Sequence, residues 1–343
     1  MSEQMLLRAR RLSKVFDGGR GRAGARAVDG VDLDVRPGEI LGVVGESGCG
    51  KSTLGRVLLQ LLTPTSGEIE FQGEPVTGLR GRALRQLRRH MQMVFQDPYG
   101  SLDPRFTAGH SITESLANFE GLSRRERRAR ARELLEEVGL PADATDRYPH
   151  AFSGGQRQRV AIARALALRP RLVVCDEPVA ALDVSTQAQI LRLLRDLQVS
   201  HGLTYVFISH DLGVVQNLCD RVAVMYLGRV VEVGPTRTLF SDPRHPYTMS
   251  LLSAVPSTDP AAQRARARIF LEGELPSPSS PPSGCRFHTR CPFVHDSCRE
   301  RDQQLEPVDS GALVACHRSG ELQQEEVGAR YAVTSLRGSR DRA

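Results

Sequence analysis

The fold of this chain is decided by the stretch Gly45-Glu46-Ser47-Gly48-Cys49-Gly50-Lys51-Ser52-Thr53. An apolar run, Ile40 to Val44, precedes it and is typical of a short buried strand, and Leu54 to Leu62 follows with a helical pattern. A strand, a glycine-rich loop and a helix form the context in which G-x-x-x-x-G-K-[ST] binds phosphate. The glycines let the backbone curl so that N–H groups face phosphate oxygens, and the helix N-terminus adds partial positive charge. We expect Lys51 to reach the β- and γ-phosphates of a nucleotide and Ser52 to offer its hydroxyl to Mg²⁺.

Length and composition limit the remaining classes. A chain of 343 residues predicts two or three domains, and 40% hydrophobic with 25% charged residues is typical of a soluble globular protein. No apolar run approaches the roughly 18 residues of a membrane span, and Met1 to Arg11 lacks the apolar core of a signal peptide. These features favour the cytoplasm. The net charge of +6 would suit nucleic acid, but the arginines are scattered and tryptophan is absent, so base-stacking platforms are few.

Three strand-like apolar runs each end in polar residues. In α/β folds such strand ends hold the groups that contact ligands. At one of these strand ends the carboxylates of Asp176 and Glu177 are adjacent. One of them can bind Mg²⁺, and the other can remove a proton from water. Taken alone, Gln96 also fits an ordinary loop residue, and His210 also fits a structural histidine. The runs and the residues that follow them are Met91–Phe95 with Gln96, Leu172–Cys175 with Asp176 and Glu177, and Tyr205–Ile208 with His210.

A second anion site is indicated by Ser153-Gly154-Gly155-Gln156, which opens a helix. A serine cap followed by two glycines exposes free N–H groups at the positive helix end, although the bare motif also fits a merely capped helix. Two other segments have less specific patterns. Ser111 to Gly139 is predicted to be helical, and its basic run is predicted to be a solvated face rather than a nucleic-acid site. Leu6 to Phe16 is predicted to be an edge strand, with Phe16 either stacking on a base or packing in the core.

Four of the seven cysteines crowd the C-terminal end with the spacing C-x5-C-x6-C-x17-C: Cys285, Cys291, Cys298 and Cys316. Structural zinc sites typically pair ligands two to four residues apart, and no such pair exists here. Disulfides are disfavoured in a reducing compartment. A [4Fe–4S] cluster needs four thiolates and accepts varied spacings, so iron–sulfur is favoured over Zn²⁺. Cysteines that simply pack in a loop-rich segment remain the third alternative.

The order of these motifs resembles the ATP-binding subunit of an ABC transporter, from about Leu6 to Val233. The resemblance implies an α/β fold with a RecA-like core, an antiparallel β subdomain and a helical subdomain at about 97–165, within a domain spanning 1–240. One departure is Ala180, where the family usually has serine, which puts communication between two sites in doubt. The matching motifs are Walker A (Gly45 to Thr53), Walker B (Leu172 to Asp176), the catalytic glutamate (Glu177), the Q-loop (Gln96), the signature (Ser153 to Gln156), the D-loop (Ala180 to Asp183), the switch histidine (His210) and the adenine-stacking aromatic (Phe16).

The C-terminal region narrows the resemblance to the ATPases of oligopeptide and dipeptide importers, some of which import nickel. Phe240 to Thr248, Pro276 to Pro278 and Gly284 to Pro292 resemble the extension of these proteins, and Phe95 to Pro104 resembles the second ATPase of such a pair. This implies an extension at 241–343 and ATP-driven uptake of di- or oligopeptides. Nickel or another small solute is the first alternative. A soluble, non-transport ABC ATPase is the second, and a catalytically dead module is disfavoured because the site residues are intact.

The resemblance also assigns roles and partners. Ser52, Gln96 and Asp176 would hold Mg²⁺, Glu177 would polarise the attacking water, and His210 would contact the γ-phosphate of ATP. The signature amides would cap ATP on a second chain, which we expect to be a sister ATPase in a heterodimer. Two transmembrane permease subunits and, indirectly, an extracellular solute-binding protein would complete the importer. The chain would lie on the cytoplasmic face of the membrane and bind no nucleic acid.

Overall fold

The computed structural model describes residues 4–19, 23–255, 269, 271 and 273–322. They form an α/β fold with two sheets and a layer of helices. Residues 323–343 of the predicted extension lie outside the described residues. The strands are β1 (Leu7–Phe16), β2 (Ala25–Val35), β3 (Ile40–Val44), β4 (Ser66–Phe71), β5 (Glu74–Pro75), β6 (Met91–Val94), β7 (Leu172–Asp176), β8 (Thr204–Ile208), β9 (Arg221–Tyr226), β10 (Arg229–Pro235), β11 (Glu306–Pro307) and β12 (Leu313–Val314). The helices are α1 (Lys51–Leu58), α2 (Gly81–His90), α3 (Pro98–Ser101), α4 (Ala108–Glu120), α5 (Arg124–Glu137), α6 (Gly154–Leu166), α7 (Val184–His201), α8 (Leu212–Leu218), α9 (Thr236–Ser241), α10 (Pro246–Ser253) and α11 (Ser297–Glu300).

The larger sheet has the strand order β11-β12-β10-β9-β3-β8-β7-β6. Strands β6, β7, β8, β3 and β9 run parallel, so their carboxyl ends meet at one edge. Every residue of β3, β7 and β8 is buried, as the uninterrupted apolar runs predict for strands covered on both faces. Strands β9 and β10 form an antiparallel hairpin that turns at Leu227 and Gly228, whose φ values of 46° and 78° suit a tight two-residue turn.

The smaller, antiparallel sheet has the order β2-β1-β4-β5. The prediction that β1 is an edge strand is wrong, because β1 pairs with β2 on one side and β4 on the other. Its alternation of apolar and basic residues reports which side chains face the core, and it carries no information about neighbouring strands. Leu7 and Ala9 are fully buried on one face, whereas Arg10 is exposed on the other.

The helical layer contains α3 to α6 and two short 3₁₀ turns. The segment from Ser111 to Gly139 is helical as predicted, and the structure divides it into α4 and α5 with a break between them. Gly121 ends α4 in the left-handed region at φ 65°, and Ser123 caps α5 through a reciprocal capping box with Glu126. The basic run of α5 is largely exposed, in agreement with a solvated face.

The chain after β10 folds back onto the larger sheet. Glu232 of β10 is fully buried and accepts the backbone N–H groups of Arg244 (2.8 Å) and His245 (3.0 Å), just before α10. Burial raises the pKa of Glu232. Farther along, β12 pairs with β10, and Phe293 packs with Met249 of α10. We call residues 273–322 the C-terminal segment. Within the described residues, no helix is long and apolar enough to cross a membrane.

Candidate nucleotide site

The glycine-rich loop lies between β3 and α1, at the carboxyl edge of the parallel strands. Gly45 and Gly50 have φ values of 152° and 108°, which favour glycine. A Cβ atom on Gly45 would lie 2.2 Å from the carbonyl oxygen of Met225, and one on Gly50 would lie 1.9 Å from that of Ala27. The loop therefore needs glycine for both its backbone angles and its packing. The helix begins at Lys51, three residues before the predicted start.

Lys51 folds back over this loop. Its ammonium donates hydrogen bonds to the carbonyl oxygens of Gly45 (2.9 Å) and Glu46 (3.0 Å), and the residue is only 5% exposed. Glu46 is one of the loop residues predicted to contact a nucleotide. Its N–H donates to the hydroxyl of Tyr247 at 2.9 Å. The N–H groups of the loop from Gly48 onwards lie at the start of α1.

Ser52 and Asp176 meet at the end of β7. The Ser52 hydroxyl donates to Asp176 Oδ1 at 2.7 Å, and Arg56 lies 3.9 Å from the other carboxylate oxygen. Asp176 is 1% exposed, and burial raises its pKa although Ser52 and Arg56 act in the opposite direction. A hydroxyl and a carboxylate oxygen beside a phosphate loop are the hard oxygen donors that Mg²⁺ prefers, so the residues fit the predicted ion.

Gln96, Glu177 and His210 come together although 114 positions separate the first from the last. Each follows one of three adjacent parallel strands, β6, β7 and β8. Gln96 Nε2 donates to Glu177 Oε2 at 3.0 Å, and His210 Nδ1 lies 3.2 Å from the same oxygen. Glu177 also has a φ of 47°, a strained conformation for a residue with a side chain. The strand ends therefore supply the polar cluster that the sequence predicts.

The signature stretch lies elsewhere in the fold. Ser153 and Gln156 form a reciprocal capping box at the start of α6, a helix of the helical layer, whereas Lys51 opens α1 on the sheet. Gly155 packs against α7, because a Cβ atom on it would lie 2.3 Å from Thr186 Cγ2. Phe16 is 40% exposed, and the Lys14 ammonium lies over one face of its ring, 5.4 Å from the centroid.

The four late cysteines line one small cavity in the C-terminal segment, together with Phe287 and His317. Burial raises the pKa of Cys291 to about 12 and that of Cys316 to about 11. The predicted metal centre finds no direct support here. Among the described residues, no group of three His, Cys, Asp or Glu side chains is arranged to hold one metal ion. The four cysteines lie close together, but the sequence spacing does not determine the directions in which their thiols point.

Two residues at this site were missed by sequence reasoning. Tyr247 and Arg290 both contact Glu46 in the glycine-rich loop, from positions about 200 and 244 residues farther along the chain. Both residues lie in stretches, Phe240 to Thr248 and Gly284 to Pro292, that resemble the extension of peptide-importer ATPases. Neither stretch carries a pattern that predicts contact with a phosphate loop, since the contact depends on how α10 and the C-terminal segment dock.

Comparison with known proteins agrees with this geometry. The family model described as ABC transporter matches residues 28–180, and the one described as the C-terminal region of oligopeptide/dipeptide transporters matches residues 231–298. The chain is 58% identical over 292 residues to the probable peptide ABC transporter ATP-binding protein y4tS of Sinorhizobium fredii, covering 85% of this chain and 82% of that protein. It is 50% identical to the putative oligopeptide transport ATP-binding protein YkfD of Bacillus subtilis, covering 91% and 95%.

Solved structures give the same result for the fold. CbiO1 of Clostridium perfringens, part of the ABC transporter complex cbiONQ, has a TM-score of 0.62 and 31% identity over 70% of this chain and 92% of that chain. The ATP-binding cassette MJ0796, in a dimeric post-hydrolysis state with ADP and phosphate, has a TM-score of 0.61 and 32% identity over 67% and 99%. The fold and site thus define an ATP-binding cassette of an ABC transporter. Within that class, the chain belongs to the family of peptide-transporter ATP-binding proteins.

Proposed function

We propose that this chain hydrolyses ATP to ADP and phosphate and thereby energises the import of di- or oligopeptides through a membrane permease. The observation that carries the proposal is the convergence of Gln96, Glu177 and His210 beside the loop of Lys51. Phosphoryl transfer to water needs positioning and charge neutralisation more than covalent chemistry. The peptide substrate is supported by the names of the relatives and by the match of residues 231–298.

Each site residue has a separate role in this proposal. Lys51 and the loop N–H groups hold the β- and γ-phosphates, and Phe16 stacks on the adenine. Ser52, Asp176 and Gln96 hold Mg²⁺, which when bound neutralises phosphate charge. Glu177 accepts a proton from the attacking water, and His210 orients the γ-phosphate. The remaining loop residues assigned to nucleotide binding are Gly45, Glu46, Ser47, Gly48, Cys49, Gly50 and Thr53.

We further infer that the working unit is a head-to-tail dimer with a sister ATPase, bound to two permease subunits at the cytoplasmic face of the membrane. In support, the signature residues Ser153 to Gln156 open a helix in a different layer from Lys51, which favours a role at the nucleotide of a second chain. A cassette similar to this chain is dimeric with ADP and phosphate bound. A solute-binding protein would act on the outer side, and the domain boundary would fall near residue 240.

We also propose that the four cysteines hold a [4Fe–4S] cluster, with Zn²⁺ as the alternative. The support is that Cys285, Cys291, Cys298 and Cys316 line one cavity. In a cubane cluster each thiolate binds a different iron, so the four sulfurs need not be arranged around one ion. The segment has a small apolar core, and a metal centre would supply cross-linking there.

The transport role is tested by uptake of labelled substrates in cells that lack this chain. We expect dipeptide and oligopeptide uptake to fall and to return with the wild-type chain but not with Glu177→Gln. Nickel uptake measured in the same cells distinguishes the first alternative. Unchanged uptake of both peptides and nickel would contradict the importer role and favour a non-transport ABC ATPase.

A further inference from the structure

All three polar groups of Glu46, the second residue of the glycine-rich loop, are engaged. Its N–H donates to the Tyr247 hydroxyl at 2.9 Å, and its carbonyl oxygen accepts from Lys51 Nζ at 3.0 Å. Its carboxylate accepts two hydrogen bonds from Arg290, at 2.8 and 3.2 Å. One loop residue therefore joins the phosphate-binding lysine to α10 and to the C-terminal segment.

Arg290 is well placed to hold this contact. Its side chain is 9% exposed, and that of Glu46 is 28% exposed, so the two-point pair is partly shielded from water. The guanidinium carbon lies 6.0 Å from the ring centroid of Tyr226, whose ring centroid is 4.7 Å from that of Tyr247. Arg290 and Tyr247, the two residues that donate hydrogen bonds to Glu46, therefore belong to one cluster packed around the ring of Tyr226.

This cluster also reaches the cysteine cavity. Phe287 packs edge-on against Tyr226 with centroids 5.2 Å apart, and it lines the cavity with the cysteines. Arg290 directly precedes Cys291 in the chain. The cysteine-bearing segment is therefore connected to the loop through side chains in direct contact.

A second connection reaches the other end of the loop. Arg286 is 7% exposed and donates to the carbonyl oxygen of Leu227 at 3.0 Å. The next residue, Gly228, donates its N–H to the carbonyl oxygen of Cys49 at 2.8 Å. The C-terminal segment thus contacts the loop directly at Glu46 and, through the turn between β9 and β10, at Cys49.

We propose that Arg290 and Tyr247 are positioning residues for the Walker A loop, and that the C-terminal segment through Arg290 and α10 through Tyr247 set the affinity of this chain for Mg·ATP. The inference rests on the proposed nucleotide role of Lys51. Two physical effects act in the same direction. A loop held in shape loses less conformational freedom when it binds the phosphates. Arg290 also neutralises the Glu46 carboxylate, which would otherwise repel the polyphosphate.

The test measures the dissociation constant of Mg·ATP by titration calorimetry on the full chain. Arg290→Ala is expected to weaken binding about tenfold, the scale of losing a hydrogen-bonded charge pair. Arg290→Lys keeps the charge and should restore most of the affinity, and Tyr247→Phe should weaken binding about threefold while preserving the aromatic packing. Arg301→Ala is the matched control, because Arg301 is an exposed arginine of the same segment, 3.9 Å from Glu306.

A double-mutant cycle with Glu46→Ala shows whether the effect passes through the contact. In the Glu46→Ala background, Arg290→Ala is expected to change the dissociation constant less than twofold. In the assembled importer, Arg290→Ala should raise KM for ATP while kcat at saturating ATP stays unchanged. A change in kcat with unaltered KM would contradict a positioning role in binding.

Three results would overturn the proposal. One is an Arg290→Ala chain that binds Mg·ATP like the wild type. Another is a tenfold loss that persists in the Glu46→Ala background, and the third is an equal loss in Arg301→Ala. If Arg290→Ala fails to fold, Arg290→Met, which keeps the length of the side chain without its charge, takes its place, and wild-type affinity in both Arg290→Met and Tyr247→Phe, confirmed folded by thermal melting, would contradict the proposal. A wild-type chain that binds no Mg·ATP would instead contradict the nucleotide function itself.

Discussion

His210 Nδ1 lies 3.2 Å from Oε2 of Glu177, the same oxygen that accepts a hydrogen bond from Gln96. The side chain of His210 is 59% exposed and that of Glu177 is 15% exposed, so the carboxylate is covered on the side of its two partners. A general base must reach the proton that it removes. Because both contacts are made by Oε2, the attacking water must either approach Oε1 of the same carboxylate or replace a partner at Oε2.

We predict that Glu177→Gln leaves Mg·ATP binding intact and lowers turnover by about 10²–10⁴-fold, the usual scale for losing a general base. The amide has nearly the same shape and still reaches Gln96 and His210, but it does not accept the proton. The measurement is phosphate release by the importer complex beside calorimetric binding to the variant. Lys51→Ala is the contrasting variant and should weaken binding. A Glu177→Gln complex that hydrolyses ATP at the wild-type rate would show that another residue is the base.

The second prediction concerns the signature motif. Gly155→Ala places a methyl group where Thr186 Cγ2 lies 2.3 Å away, so α6 and α7 must shift apart. We expect a loss of about 1–3 kcal/mol in unfolding free energy, typical of overpacking, and a lower ATPase rate of the assembled importer. Mg·ATP affinity of the isolated chain should not change. Gly320→Ala is the control, because its added Cβ meets no atom within 4 Å. Equal stability and equal ATPase rates for the two variants would contradict this interpretation.

We predict that the isolated chain is monomeric or weakly dimeric and a poor ATPase, because each nucleotide needs the signature residues of a second chain. The measurement combines sedimentation velocity in the presence of Mg·ATP with the specific ATPase rate as a function of protein concentration. The rate per chain should rise with concentration and with added sister ATPase. Full activity in a demonstrably monomeric sample would contradict the shared-site arrangement.

The sequence predicted the elements that bind phosphate more reliably than the contacts between distant segments. The apolar run of β7 and the residues Asp176 and Glu177 form a local pattern, so both strand and site followed from it. The break between α4 and α5 was not predicted, although Gly121 is a local signal of a helix end and the capping box at Ser123 is a local signal of a helix start. The contact of Arg290 with Glu46 has no local signal, since it depends on the docking of the C-terminal segment, whose β12 pairs with β10.

A fourth prediction concerns the pH dependence of stability. Asp29 of β2 pairs with Arg229 at 3.1 Å and with Arg286 of the C-terminal segment. Burial alone would raise the pKa of Asp29, but Arg286 and Arg229 outweigh it, so the pKa lies below its usual range. A depressed carboxyl pKa adds stability above the unfolded pKa of about 4, and this stability is lost as the pH falls through the folded pKa.

Asp29→Asn should therefore lower the unfolding free energy by about 1–3 kcal/mol at pH 7, since it removes the carboxylate that pairs with Arg286 and leaves Arg229 with Asp302 alone. The difference between wild type and variant should shrink below pH 4. Urea unfolding at pH 7, 5, 4 and 3 measures it. Asp309→Asn, at an exposed aspartate of the C-terminal segment, is the control. A stability difference that stays constant from pH 7 to pH 3 would contradict the assignment of the low pKa to Asp29.

The last prediction concerns the cysteine cavity. If the four thiols hold a [4Fe–4S] cluster, anaerobically purified protein should be brown, absorb visible light and contain about four irons per chain. Cys291→Ser should abolish the colour, whereas Cys219→Ser, at a buried cysteine beside the sheet, should retain it. A colourless protein with one zinc per chain would favour the alternative metal, and a folded, metal-free protein would contradict both. In that last case the cavity would be an ordinary packed core, and the contact of Arg290 with Glu46 would need no metal to hold it, because its donors and acceptors belong to the chain itself.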